Sequence, residues 1–290
     1  MSGGAGGGRA ALLLLTDGRF PAGGHAHSGG AEAAVTDGRI RDAATLAAFC
    51  RGRLHTTGLV TAALAAAATA AYGPARTDTA ADPGRTAAMD AAADPGRTAA
   101  MDAGTVPGRT ATMDAAADTG WAAAMDAGTG TSWAAALDAA ADARTPSAAL
   151  RTVSRRLGRQ LLRAARAVWP HPGLDALAAA FPRGAHQPVV LGVAALAAGL
   201  GPLDAAYAAA YESVGGPAAA AVRLLGLDPF RAAAVQARLA PEIDEVAAAA
   251  ARAARRAAAE GPGVLPAASS PLLDIAAEQH AAWPVRLFAS

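Results

Sequence analysis

The chain has 290 residues, 53 % hydrophobic and only 4 % aromatic, with a formal net charge of +1. Most of the apolar content is alanine, which favours helix over sheet, and the near-neutral balance excludes polyanion binding by bulk charge. The basic residues are all Arg, so lysine chemistry such as a Schiff base or a phosphate-loop lysine is excluded, and the single cysteine, Cys50, excludes a disulfide framework or a cysteine-rich metal site.

In chain order, residues 1–11 form a Gly-rich tail expected to be disordered. The run Ala10 to Leu15 is too short for a secretory leader, and Val189 to Leu203 is short for a membrane span and broken by Gly and Pro. A cytoplasmic protein with no membrane segment is therefore expected. A Gly-rich loop follows at 20–30. Asp42 reads as the N-cap of a long helix to Tyr72, with Leu46, Phe49, Cys50, Leu54, Val60 and Leu64 on one face. Gly73 and Pro74 end it.

Residues 82–141 hold a twelve-residue repeat: Asp82-Pro-Gly-Arg-Thr-Ala-Ala-Met89-Asp90 recurs at Asp94 and, altered, at Val106, Asp118 and Gly130. Twelve residues is shorter than solenoid repeats of roughly 20–50 residues. Each copy offers one Met or Leu and at times a Trp, so the stretch 74–146 reads as a tandemly duplicated, low-complexity insertion, with a partner-binding arm as the other reading. Helical patterning resumes at 147–168, where Arg155, Arg159, Arg163 and Arg166 form a stripe. Such a stripe suits a solvated face, an acidic partner or nucleic acid, and the lack of interleaved aromatics argues against the last. Further helices are expected at 174–181, 187–200, 203–213, 216–225 and 229–258, each bounded by Pro or Gly. The organisation predicted is one all-α helical bundle split into 12–73 and 147–260 by the insertion, then a tail at 261–290.

Three features invite chemistry. His25 and His27, as His-x-His in a Gly-rich turn, are a low-grade candidate for zinc or nickel, either as a transient contact or as the centre of a metal-dependent hydrolase. The alternative is a tight turn whose glycines permit close backbone approach. No Walker-type phosphate loop, no G-x-S-x-G and no plausible Ser–His–acid set is seen, and Glu242, Asp244 and Glu245 read as a helix face that meets solvent or nearby Arg. The last feature is the segment from Pro271 to Ser290, with Trp283, Leu287 and Phe288. It either docks on the chain's own helices or orders against a partner.

Several of these pieces resemble the urease accessory protein UreF family. Leu12 to Leu15, Asp17, Phe20-Pro21, Gly23-Gly24, His27-Ser28-Gly29-Gly30 and Glu32 are similar to its N-terminal signature. Asp37 to Asp42 with Leu46, Ser154 to Leu162, His186 to Gly192, Ala221 to Leu224, and Asp274, Glu278, His280 and Arg286 to Ser290 follow in the family's order. The sequence departs from it at His25, at Ala31, at Asp228-Pro229 and in the length of the repeat. The resemblance implies an all-α homodimer without covalent chemistry or a cofactor of its own. It also implies a scaffold that bridges UreD (UreH) and the GTPase UreG while nickel passes to apo-urease. Partner contacts are implied in the turn at Pro21, Gly23, Gly24, His27, Ser28, Gly30 and Glu32. In the tail they are implied at Asp274, Glu278, His280, Arg286, Leu287, Phe288 and Ser290.

Overall fold

Local start signals decide where the helices begin. The computed structural model describes residues 8–72 and 129–289, apart from the side chains of His25 and of residues 129–131. Helices α1 (Gly8–Thr16) and α2 (Ala31–Thr36) flank the Gly-rich turn. Then α3 (Ala43–Arg53) runs through a π turn (Leu54–Gly58) into α4 (Leu59–Tyr72). Asp42 caps α3 as expected: its carboxylate accepts from Thr45 N at 2.8 Å while Thr45 Oγ1 accepts from Asp42 N at 3.0 Å. After residue 128 come α5 (Thr129–Ala143), α6 (Ala148–Val168), α7 (Pro172–Ala180) and α8 (Gln187–Ala197). The chain then forms α9 (Pro202–Leu225), α10 (Pro229–Glu260) and α11 (Pro271–Ala281). Proline at the first turn of α7, α8, α9, α10 and α11 gives up an N–H that no helical partner would have used. Among the described residues there is no strand, and the fold is a single all-α domain.

Helix α4 is the axis of the core. Ala62, Ala63, Leu64, Ala65, Ala66, Ala67 and Ala68 are all buried, and α8, α9 and α10 pack around them. The helix Ala43–Tyr72 is long and apolar enough to cross a membrane, but its apolar faces are covered by these neighbours. Alanine on one side and glycine on the other let the backbones touch. A Cβ at Gly192 of α8 would overlap the Ala65 carbonyl and lie 2.6 Å from Ala68 Cβ. Thr69 Oγ1 bridges the crossing, donating to Gly192 O at 2.9 Å and to Ala65 O at 3.0 Å.

Three expectations differ from the structure. Residues 129–143, read as the end of the insertion, form α5, and Ala134, Leu137, Ala140 and Ala141 are buried in the common core. One Leu and one Trp per copy suffice here because α4, α7 and α8 supply the rest of the contact. The repeat from 82 to 128 lies outside the described residues. The helices expected at 203–213 and 216–225 are one helix, α9, running through Gly215-Gly216-Pro217. Pro217 cannot donate to Ser213 O four residues back, and Arg53 Nε, from α3, donates to that carbonyl at 3.1 Å instead. At the amino end, Gly8 to Ala10 belong to α1 rather than to a disordered tail.

Candidate functional site

The Gly-rich turn and the C-terminal tail meet. Phe20 is buried against Trp169, ring centroids 5.6 Å apart, which anchors the turn's entry. The turn needs its glycines: Gly23 (φ 79°), Gly29 (φ 60°) and Gly30 (φ 88°) are all left-handed. A Cβ at Gly23 would also overlap the Gln160 side-chain oxygen. Glu32 follows on α2, buried at 5 % exposure, with Ser28 Oγ accepting from its backbone N–H at 3.2 Å.

The Glu32 carboxylate is where the tail attaches. His280 Nε2 lies 2.8 Å from Oε2, Leu287 N donates to Oε1 at 2.8 Å and Phe288 N to Oε2 at 3.0 Å. Burial pushes this carboxyl up, but the donors from Leu287, His280 and Phe288 outweigh it and hold it below the usual range. Ala289 N donates to Ala26 O at 2.8 Å, and Arg223 covers the buried Phe288 ring at 4.3 Å. A second fastening lies at the N-terminus of α6. There Ser147 Oγ donates to Glu278 Oε1 at 2.6 Å, Ala149 N donates to the same oxygen at 2.9 Å, and Ser147 N donates to Asp274 Oδ1 at 3.3 Å. The Ser147 hydroxyl, then the Ala149 amide, lower the Glu278 pKa, and the carboxylate sits at the positive end of the helix. The tail is thus docked on the chain's own body, the first of the two arrangements considered.

The residues singled out in the sequence divide into two groups. Glu32, His280, Glu278, Asp274 and Phe288 spend their polar or apolar groups within the chain, and His27 and Ser28 are buried. Pro21, Arg286 and Leu287 are exposed, joined by Leu272, Ile275 and Val285, which sequence reading passed over because a short Pro-capped stretch showed no clear period. Gly23, Gly24 and Gly30 shape the turn. Ser290 and the side chain of His25, one half of the His25–His27 pair, lie outside the described residues.

A carboxylate–imidazole cluster went unseen in the sequence. Asp138 and Asp142 of α5 and His186 before α8 bring one ligand atom each within 4.8 Å of one another. The cation there is already a guanidinium: Arg155 Nη2 lies 2.9 Å from Asp138 Oδ2 and 2.7 Å from Asp142 Oδ2. Its Nη1 donates to Gly184 O at 2.9 Å. His186 bridges Asp142 Oδ1 at 2.8 Å and Ser154 Oγ at 3.0 Å, while its backbone N donates to Asp138 Oδ1 at 2.7 Å. This does align a serine, a histidine and an acid. However, Ser154 Oγ also accepts from Gln187 N at 3.2 Å, so the chain of bonds knits α5, α6 and α8 together. The i, i+4 spacing of the two aspartates was the available signal, hidden inside a stretch read as insertion. Of the arginine stripe only Arg155 turns inward; Arg159, Arg163 and Arg166 stay exposed, two of them with partners in their own chain. Arg159 donates to Arg183 O at 2.6 Å, Arg166 pairs with Asp175, and Arg151 donates to Thr145 O at 2.7 Å and Pro146 O at 2.8 Å.

Beside the docked tail, a cleft of ≈ 1690 Å³ opens between the turn, α4, α6, α9 and α11. Val60, Leu64, Leu157 and Leu161 contribute apolar wall, and Arg53 and Glu212 contribute charge. Gln187 Nε2 lies 3.0 Å from Glu212 Oε2, and desolvation pushes the Glu212 carboxyl up to about 7.

A family model described as UreF matches residues 105–240. The chain is similar to the urease accessory protein UreF of Mycolicibacterium vanbaalenii, 38 % identical over 97 % of this chain and 98 % of that protein. It is 37 % identical to that of Mycobacterium sp. strain JLS over 96 % of this chain and 97 % of that one. With the Mycobacterium tuberculosis H37Rv protein of the same name it shares 32 % identity over 93 % of each.

Proposed function

The chain belongs to the UreF family of urease accessory proteins and so to urease maturation, and we propose that it serves there as a scaffold rather than as a catalyst. In this reading a cytoplasmic homodimer bridges UreD (UreH) and the GTPase UreG, and so modulates GTP hydrolysis while nickel is inserted into apo-urease. The chain holds no cofactor of its own and binds neither nucleic acid nor membrane. The observation that carries the reading is similarity along nearly the whole chain to proteins bearing that name. Arg155 is taken up by Asp138 and Asp142, which removes one member of the basic stripe that a nucleic-acid surface would need.

The partner face is the docked tail and turn. Glu32, His280 and Glu278 hold the tail in place, and Leu272, Ile275, Val285, Leu287 and Pro21 present an apolar surface beside Arg286. Apolar side chains this exposed on α11, the tail after it and the turn suit a contact surface. The test is co-expression with UreD and UreG of the same organism, with complex mass measured by light scattering. A complex containing all three proteins is expected for the native chain. A double variant, Leu272→Asp with Ile275→Asp, should stay folded and drop out of it. A native chain that binds neither protein overturns the scaffold reading. One tightly held metal ion per chain, lost in His27→Ala, would favour the metal-dependent hydrolase instead.

A further inference from the structure

Arg53 stands at the end of α3, where the π turn begins, and lines the cleft. Its Nε serves the Ser213 carbonyl that Pro217 leaves without a helical donor. The turn closes over it: a Cβ at Gly29 would lie 3.4 Å from Arg53 Cζ and Nε and 3.3 Å from Pro217 Cγ. Among the described residues neither Nη group has a hydrogen-bond acceptor, and no carboxylate lies within 4.0 Å. Glu212, the residue before Ser213, gives its bond to Gln187 instead. Burial lowers the Arg53 pKa; the Cys50 thiol offsets this only in part, and no carboxylate does. One hydrogen-bond donor would satisfy Ser213 O. A partly buried full charge without a counter-charge is a costly way to supply it, and it leaves a planar fork of N–H donors matched to a carboxylate.

We propose that Arg53 anchors an acidic side chain of a partner protein whose segment enters the cleft. The cleft is larger than the roughly 300–1,000 Å³ of small-molecule sites. Partly exposed Leu150, Val153 and Leu157 line it beside Arg53, whose two Nη groups have no acceptor among the described residues, so the matching occupant is a peptide segment with apolar residues around an Asp or Glu. This rests on the scaffold reading, which supplies the probes: UreD and UreG of the same organism.

The experiment measures affinity of the purified chain for each of the two proteins at low and high salt, together with thermal stability. Arg53→Met is expected to bind one of them at least tenfold more weakly and with less salt dependence, while its melting temperature changes little. Thr57→Glu places a carboxylate one turn along the same wall, where it competes for the guanidinium. It should melt no lower than the native chain and lose the same binding, which covers the case of an unstable Arg53→Met. Binding by the native chain that both variants retain overturns the Arg53 site and leaves the scaffold reading standing. A native chain that binds neither protein overturns both.

Discussion

Replacing Glu32 with Ala removes the acceptor for three donors at once: His280 Nε2, Leu287 N and Phe288 N. A hydrogen bond to a charged group contributes about 1.5–3 kcal/mol, so the three together contribute about 4–9 kcal/mol. What remains to hold the last residues is the Phe288 ring, about 2 kcal/mol of burial, its contact with Arg223, about 1 kcal/mol, and the Ala289 N to Ala26 O bond, about 1 kcal/mol. Ordering the backbone of residues 282–289 costs about 1 kcal/mol each, which exceeds that remainder. The expected outcome is therefore undocking of the tail rather than unfolding of the domain. Amide exchange at Leu287 and Phe288 should approach the rate of an open chain, and trypsin should cut after Arg286, with α4 amides still protected. The same carboxylate sets a pH dependence. Its folded pKa is lowered, so its contribution is present above the ordinary glutamate value of about 4.3 and is lost as pH falls through the lower folded value. Tail amides of the native chain should stay protected from neutral pH to about pH 4 and exchange faster below. Continued protection of Leu287 and Phe288 in Glu32→Ala would show that the carboxylate is not what fastens the tail.

The remaining expectations concern the body. Gly192→Ala drives a Cβ into the Ala65 carbonyl, and overpacking at such a crossing costs about 1–3 kcal/mol, read as a lower urea midpoint at unchanged slope. Asp138→Ala leaves Arg155 with Asp142 as its remaining carboxylate and leaves His186 N without its acceptor. Breaking a buried pair costs about 3–5 kcal/mol, and adding Arg155→Met should recover part of that loss in a double-mutant cycle. Cys50 is buried and its thiol is pushed up to about 12, so a disulfide reagent at pH 8 should find no reactive thiol in the native chain and one equivalent after denaturation.

What was legible in the sequence is what neighbouring residues decide. Asp42 and Thr45 form their capping box three residues apart, and Pro202 and Pro229 mark helix starts by their own backbone limits. The Gly-rich turn was legible for the same reason. Misreadings fell where a distant residue repairs a local fault. Gly215-Gly216-Pro217 reads as a helix break, and it is one until Arg53, 160 positions earlier, donates to the orphaned carbonyl. Residues 129–143 look too poor in large side chains to pack, and they are, until α4, α7 and α8 surround Leu137.

The site shows the same division at higher cost to the reading. Glu32 and His280 stood out as polar residues in suggestive places, and partner contact was the natural inference. Their 2.8 Å contact spans 248 positions, which no spacing rule reaches. That contact reverses their immediate role: a buried carboxylate with three donors positions the tail. The cleft is built on the same terms. The π turn at Leu54–Gly58 begins right after Arg53, Gly58 lies against Ser213 of α9, and Pro217 frees the carbonyl that Arg53 takes. Each irregularity alone is a defect in a helix. Facing one another, they hold a cation at the cleft wall with both of its Nη groups unspent among the described residues.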